Sequence, residues 1–294
     1  MLVDRHSNSL VIYDDNHNIL CKLNGEVSIF SVYCISAEKN LVATQNNGNE
    51  CIIIWDMKTG SPIYNLLNED FTFCMAFSPV NYELISGNYE GMLKVWDLEK
   101  KTLKTVKKMS DDFVELITFS NKGNVFAVVV ANNVIKVINS YTFDEIYSIG
   151  ENFRIYGIYF SKNDEYFGAS SWDSYVSIYD INGKPIQKLV DHENQFTNIK
   201  FSNCSRYVAS KHYNDMVKIW EIGYEPYIFS HTNKKFSKFS SYDWKIRRIR
   251  LDSETKKVVE KLLNRFPDDI KEMIYGLVIK RERLYVNSTP IFCI

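Results

Sequence analysis

The sequence predicts an all-β fold assembled from about six copies of one four-stranded antiparallel unit, on the strength of three markers that keep a common period. An apolar residue followed by serine recurs at Ile35-Ser36, Phe77-Ser78, Phe119-Ser120, Phe160-Ser161, Phe201-Ser202 and Phe239-Ser240, at intervals of 42, 42, 41, 41 and 38. A second pair recurs at Tyr13-Asp14, Trp55-Asp56, Trp96-Asp97, Ile138-Asn139, Tyr179-Asp180 and Trp220-Glu221, at intervals of 42, 41, 42, 41 and 41. A phenylalanine stands at the entrance to five copies, at Phe30, Phe71, Phe113, Phe153 and Phe196.

The best-formed copy runs from Phe71 to Glu99. Its apolar run ends in Phe77-Ser78, and a polar turn around Pro79–Tyr82 leads to a short strand at Leu84–Ser86. The tight turn Tyr89-Glu90-Gly91 precedes an alternating strand, Met92–Trp96, capped by Asp97. Short apolar or β-branched runs between turn-forming clusters indicate strands joined by hairpins. This unit resembles a WD repeat, and the resemblance implies a WD-repeat β-propeller of six countable blades, with seven possible.

Six periods of about 41 residues use the chain to about Leu251, which gives a propeller over 1–251 and an extension over 252–294. At the start, Ser9–Tyr13 reads as a third strand and Ile19–Leu23 as a fourth, with no first or second strand before them. Near the end, residues 234–239 and Lys245–Leu251 read as the first two strands of a copy begun at Phe239-Ser240. Two complementary halves in one composite blade would remove two exposed sheet edges. In the extension, Asp252 or Ser253 caps a predicted helix to about Arg265, and Pro267 opens a second helix striped by Ile270, Met273, Ile274, Leu277 and Val278.

Well-formed WD repeats carry a buried hydrogen-bond set of Trp, a second-strand Ser or Thr, a turn Asp and a His before the first strand. On this resemblance Ser210 and Trp220 fit, His192 supplies the His, and Asn214 replaces the Asp. The copy ending at Tyr179-Asp180 keeps Asp173 but has Tyr for Trp. The copy ending at Trp96 keeps Ser86 and Glu90 without a Gly-His before Phe71. The copy ending at Ile138 has Val128 and Asn132 and retains almost none of the set.

Composition excludes several classes of function. A net charge of −1 gives no overall pull toward nucleic acid or membrane. No apolar run approaches the roughly 20 residues that span a bilayer, and the N-terminus lacks the basic-then-apolar order of a signal peptide. The expectation is a soluble, monomeric protein of the cytoplasm, with the nucleus also allowed. The six cysteines form no C-x-x-C pair and no zinc spacing, which predicts buried, reduced thiols and no metal or cofactor. No nucleophile elbow, zincin motif or phosphate-binding glycine loop is present, so no catalytic residue is assigned and no enzyme is expected. His192 is read as structural, because Asp191 and Glu193 are its nearby acids and no nucleophile accompanies them.

The remaining readings concern partners. In the resembled family, the residue before the turn acid is commonly presented to partners; here those positions are His6, Gly48, Tyr89, Ala131, Trp172 and Tyr213. Rigidly held Tyr and Trp are favoured binding anchors, so Tyr89, Trp172, Tyr213 and His6 are the candidate protein-binding residues. Lys100, Lys101, Lys104, Lys107 and Lys108 read as the protected edge of an outer strand. The stretch 233–250 carries seven basic residues and one acid among Phe236, Phe239, Tyr242 and Trp244, which allows a phosphate or RNA site but equally suits strands. The phrase from Phe266 to Ile270 resembles the opening helix of an F-box, which implies an adaptor of a ubiquitin ligase acting through the C-terminal helices. A non-enzymatic scaffold for protein partners is the leading reading, beside the ligase-adaptor and phosphate- or RNA-binding alternatives.

Overall fold

The computed structural model describes residues 2–6, 9–14, 18–23, 32–45, 51–68, 70–131, 133–171, 175–190, 196–212, 217–223, 227–228 and 240–244. These residues form six sheets. The first contains β1 (Leu2–His6), β2 (Ser9–Tyr13) and β3 (Ile19–Lys22). The second contains β4 (Val32–Ser36), β5 (Leu41–Gln45), β6 (Cys51–Asp56) and β7 (Pro62–Leu67). The third contains β8 (Thr72–Phe77), β9 (Glu83–Asn88), β10 (Met92–Asp97) and β11 (Thr102–Lys108), and the fourth β12 (Val114–Phe119), β13 (Val125–Val130), β14 (Val134–Asn139) and β15 (Glu145–Gly150). The fifth contains β16 (Ile155–Phe160), β17 (Tyr166–Ser171), β18 (Tyr175–Asp180) and β19 (Pro185–Val190). The sixth contains β20 (Phe196–Phe201), β21 (Tyr207–His212), β22 (Val217–Glu221), β23 (Tyr227–Ile228) and β24 (Ser240–Trp244).

Residues 1–152 and 153–294 form separate compact units. In the first unit, sheets two to four are meanders of identical order, and their chain-first strands β4, β8 and β12 are neighbours. Successive sheets share apolar cores. Leu10, Ile12, Cys21 and Leu23 pack with Val42, Trp55 and Met57 between the first and second sheets. Ile52, Ile54 and Leu66 pack with Met75, Leu84 and Trp96 between the second and third. Val95 and Met109 pack with Val114, Phe126 and Val128 between the third and fourth. In the second unit, Val176, Ile178 and Leu189 pack with Ile199, Phe201 and Trp220. The fold is the all-β WD-repeat propeller type that the period predicts, one sheet per repeat.

The recurring markers have local causes. The serine of the apolar-Ser pair closes the turn between the first and second strands. Ser78 Oγ accepts from Asn81 N at 3.0 Å, Ser161 Oγ from Tyr166 N at 2.9 Å and Ser202 Oγ from Tyr207 N at 3.1 Å. The Asp or Asn that ends the third strand closes the next turn with its own carboxyl or amide oxygen. Asp56 Oδ1 accepts from Lys58 N and Thr59 N, Asp97 Oδ1 from Glu99 N and Lys100 N, Asn139 Oδ1 from Tyr141 N and Thr142 N, and Asp180 Oδ1 from Asn182 N and Lys184 N. These are side-chain mimics of a backbone turn, which explains why Asn serves as well as Asp.

The tryptophans bind across to the second strand. Trp96 Nε1 donates to Ser86 Oγ at 2.9 Å and Trp220 Nε1 to Ser210 Oγ at 2.9 Å. Trp55 Nε1 donates to Thr44 Oγ1 at 2.8 Å in the same geometry. Where the repeat is degenerate, the position of the Trp packs among aromatic and aliphatic side chains. Tyr179 stacks on Phe167 at 5.2 Å, and Phe126, opposite Ile138, packs near Phe143 at 6.4 Å. His192, Asp173, Asn132 and Asn214 lie outside the described residues.

Three expectations are corrected. The N-terminal segment is not preceded by a gap of two strands, because Leu2–His6 pairs antiparallel with Ser9–Tyr13 from Leu2↔Tyr13 to His6↔Ser9. Only Leu2 and Val3 are apolar in that strand, too few for the run criterion, and Val3 packs against the Leu10–Ile12 core. Ser240 does not sit at the end of a first strand: Ser240–Trp244 pairs antiparallel with Val217–Glu221 and extends the sixth sheet. The pair Phe239-Ser240 is a local pattern that does not distinguish the end of a first strand from the start of a strand paired with β22. Not all cysteines are buried, since Cys204 is exposed in the turn after Phe201-Ser202, with Ser202 Oγ 3.2 Å from its Sγ. Strand 245–251, the helices of 252–294 and their F-box resemblance, Cys293, and the basic stretch apart from 240–244 lie outside the described residues.

Two predictions follow from these contacts. Ser86→Ala leaves the buried Trp96 N–H without its acceptor, and is expected to lower stability by about 1–3 kcal/mol in denaturant unfolding; an unchanged midpoint contradicts the assignment. Burial also pushes the Cys34 and Cys74 thiols above the ordinary range, so both stay protonated at pH 8. Alkylation of the native chain followed by peptide mass spectrometry is expected to label Cys204 first and Cys34 and Cys74 only on unfolding.

Candidate protein-interaction site

The site is built on the turn between β9 and β10. Asn88 accepts from Glu90 N at 3.1 Å and Met92 N at 2.8 Å through Oδ1, closing the turn that presents Tyr89. Gly91 sits at φ +72°, and a Cβ there would lie 2.3 Å from Ser110 O and 2.4 Å from Asp112 O. Only glycine allows both the left-handed backbone and the close approach of the following segment. That approach, fixed by Met109 N donating to Gly91 O at 2.8 Å, brings Phe113 beside the turn.

Tyr89 is 50% exposed and meets three further rings. Its centroid lies 5.3 Å from Phe71, 5.2 Å from Phe73 in an edge-on arrangement and 6.2 Å from Phe113, while Phe73 and Phe113 are 5.6 Å apart. The three phenylalanines are half-buried. Such edge-on and tilted pairs hold one another in place, so an exposed ring in the group is already ordered before anything binds it.

A polar network lies beside the aromatic group. Asn68 Nδ2 donates to Gln45 Oε1 at 3.2 Å, Thr72 Oγ1 at 2.9 Å and Asp70 O at 2.8 Å, while Thr72 N donates to Gln45 Oε1 at 3.1 Å. Lys94 Nζ reaches Asp70 Oδ2 at 2.6 Å and Asn68 Oδ1 at 2.9 Å, and Asn88 Nδ2 donates to Asp70 Oδ2 at 3.2 Å. Residues 68–72, which carry Phe71, are therefore tied to β5, β9 and β10 together. This tethering stands where the Gly-His of a better-formed repeat is missing.

Of the residues singled out in the sequence, Tyr89 is at the centre of this site. His6 ends β1 and pairs with Ser9, at the corresponding end of the first sheet. Ala131, the corresponding residue of the fourth sheet, is buried and donates its N–H to Phe113 O at 3.1 Å. Trp172, Tyr213 and Gly48 lie outside the described residues. Phe71 and Phe113 were expected only as strand-opening residues and Phe73 was not singled out; the available signal was the alternation of Phe71 and Phe73 about the buried Thr72. The second unit exposes Phe153 and Tyr156, with Phe153 5.9 Å from Tyr175 and Lys188 Nζ 3.4 Å from the Tyr175 ring centroid.

The lysine-rich outer strand β11 is a paired edge. Lys107 binds Asp144 at 2.8 Å, Lys104 pairs with Glu83, Lys100 lies 3.4 Å from Asp97, and Lys101 sits over Tyr64. Burial of Tyr64 pushes its phenol up to about 12, and its hydroxyl donates to Leu98 O at 3.0 Å. An open polar cleft of about 310 Å³ lies at the Asn81–Glu83 turn, lined also by Asp97, Lys104 and Tyr141. Among the described residues, no group of three His, Cys, Asp or Glu side chains is arranged to hold a metal.

Residues 60–97, which include most of this site, match the family described as WD domain, G-beta repeat. Periodic tryptophan protein 2 of Arabidopsis thaliana is 21% identical over 65% of this chain and 22% of its own length. Transcription initiation factor TFIID subunit 5 of Caenorhabditis elegans is 25% identical over 52% of this chain and 24% of its own length. Small ribosomal subunit protein RACK1 of Medicago sativa is 31% identical over 28% of this chain and 26% of its own length. The matched part thus spans about a quarter of these relatives. The crystal structure of the computationally designed Ika8 protein is similar in fold, with a TM-score of 0.60 and 21% identity over 74% of this chain and 66% of that one.

The network generates a prediction. Lys94→Met leaves the Asp70 carboxylate and Asn68 carbonyl without their cationic donor, at an expected cost of about 1–3 kcal/mol. Amide exchange over residues 68–73 is expected to rise more than over β12–β14; uniform exchange would show that the network does not hold this segment.

Proposed function

Since this chain is built of WD repeats, we propose that it is a non-enzymatic scaffold that binds a protein partner through Tyr89 and the rings of Phe71, Phe73 and Phe113. The observation that carries this reading is Tyr89 itself, half-exposed yet held by three neighbouring rings. An ordered aromatic supplies contact area while losing little side-chain entropy on binding, which is the property of interface anchors. The relatives named as a TFIID subunit and a small ribosomal subunit protein support it, because both names place a WD-repeat chain within a larger assembly.

Affinity capture on the whole chain, compared with Tyr89→Ala, tests the proposal. A protein held by the parent is expected to bind the variant at least about 2 kcal/mol more weakly, or roughly 30-fold, with the melting temperature nearly unchanged. A large fall in melting temperature with binding per folded molecule preserved would make Tyr89 a packing residue and remove the patch from the interface.

A further inference from the structure

We propose that the partner segment seated on the Tyr89 patch is cationic, with an Arg or Lys beside its apolar anchor; this rests on the reading that the patch is the binding surface. Four carboxylates flank the rings in the chain: Asp70 before Phe71, Glu90 after Tyr89, and Asp111 and Asp112 before Phe113. Two lysines stand against them, and both are engaged. Lys94 is committed to Asp70 at 2.6 Å, and Lys108 Nζ rests on Glu90 O at 2.8 Å and 3.8 Å from Asp111. The Asp111 side chain is fully exposed and takes no part in the polar network of Gln45, Asn68, Asp70 and Lys94.

A net negative rim around an open aromatic ring selects for charge of the opposite sign. The face of a tyrosine ring attracts a guanidinium or ammonium, and nearby carboxylates add to that attraction and steer encounter. The same rim disfavours two other occupants that aromatic rings can serve. Bases of a nucleic acid would bring phosphates against four carboxylates, and so would an anionic lipid surface. A neutral apolar segment would desolvate the Glu90 carboxylate and the loose Asp111–Lys108 pair while offering no cation to either. A basic residue next to an apolar side chain matches both the rings and the rim.

A library of random linear 12-residue peptides, displayed and selected on the whole chain, supplies defined probes. Recovered peptides are then measured by fluorescence anisotropy against the parent, Tyr89→Ala and the double variant Glu90→Gln/Asp111→Asn, with thermal melts confirming that each variant is folded. The expected result is enrichment of Arg or Lys adjacent to an apolar residue, with binding at least about 30-fold weaker in Tyr89→Ala, about tenfold weaker in the double variant, and less salt-dependent in the double variant than in the parent. Peptides that need Tyr89 but are neutral or acidic, or that ignore Glu90→Gln/Asp111→Asn, overturn the cationic partner while leaving the patch in place. If no recovered peptide distinguishes the parent from Tyr89→Ala, the patch reading fails and this inference fails with it.

Discussion

Burial of the second strand on both faces in the second to fifth sheets is the constraint on which the rest of the structure depends. Every residue of β5 and β9 is buried, and so are all but the first of β13 and β17. A strand covered on both sides must be apolar or must supply partners for each polar group it carries. In β9 the sequence Glu83-Leu84-Ile85-Ser86-Gly87-Asn88 does both. Leu84 and Ile85 belong to different neighbouring cores, Ser86 accepts from Trp96, Glu83 pairs with Lys104, and Asn88 turns to the hairpin. Gly87 stands where any Cβ would lie 2.5 Å from the Val114 side chain of the next sheet.

The same constraint explains which parts of the repeat vary. Trp96 and Trp55 each satisfy a hydroxyl on the buried strand, so Trp and Ser or Thr are replaced together: the fourth sheet has Ile138 and Val128 and has no buried hydroxyl to satisfy there. Turn residues vary less freely in chemistry than in identity. Asp56, Asp97, Asn139 and Asp180 all present an oxygen to two amides, and Asn40, Asp164 and Ser205 take positive φ in the turn where Gly123 does so without strain. A degenerate repeat therefore keeps its strands and turns while losing its signature.

Strand positions were legible in the sequence because they are local and periodic, and the Trp–Ser bonds because the WD-repeat resemblance implies them for residues such as Ser86 and Trp96, ten apart in adjacent strands. Leu2–His6 was not, since five residues with three polar side chains carry no period of their own and are fixed by pairing with Ser9–Tyr13. Ser240–Trp244 was misplaced because an apolar-Ser pair does not distinguish the end of a first strand from the start of a strand paired with Val217–Glu221. In the site, Tyr89 was legible from its place beside a turn acid. The other rings were hidden by a true regularity, since a phenylalanine at a strand entrance suits a core as well as a surface. The tether of Gln45, Asn68 and Lys94 had no signal at all, because its members are 23 and 26 residues apart and meet only when two sheets pack.

That packing is why site and fold are joined here. Phe71, Phe73 and Tyr89 belong to the third repeat and Phe113 to the entrance of the fourth, while the tether beneath them begins on β5 of the second. The patch thus spans three successive repeats and has its shape only when their shared cores are formed. A repeat that retains a strong Trp–Ser bond anchors it on one side. The next repeat, with Ala131 at the corresponding turn, leaves room for Phe113 to lean on Tyr89. Degeneracy of one blade is in this sense part of the surface of its neighbour, and the aromatic group is confined to the junction where a regular repeat meets an irregular one.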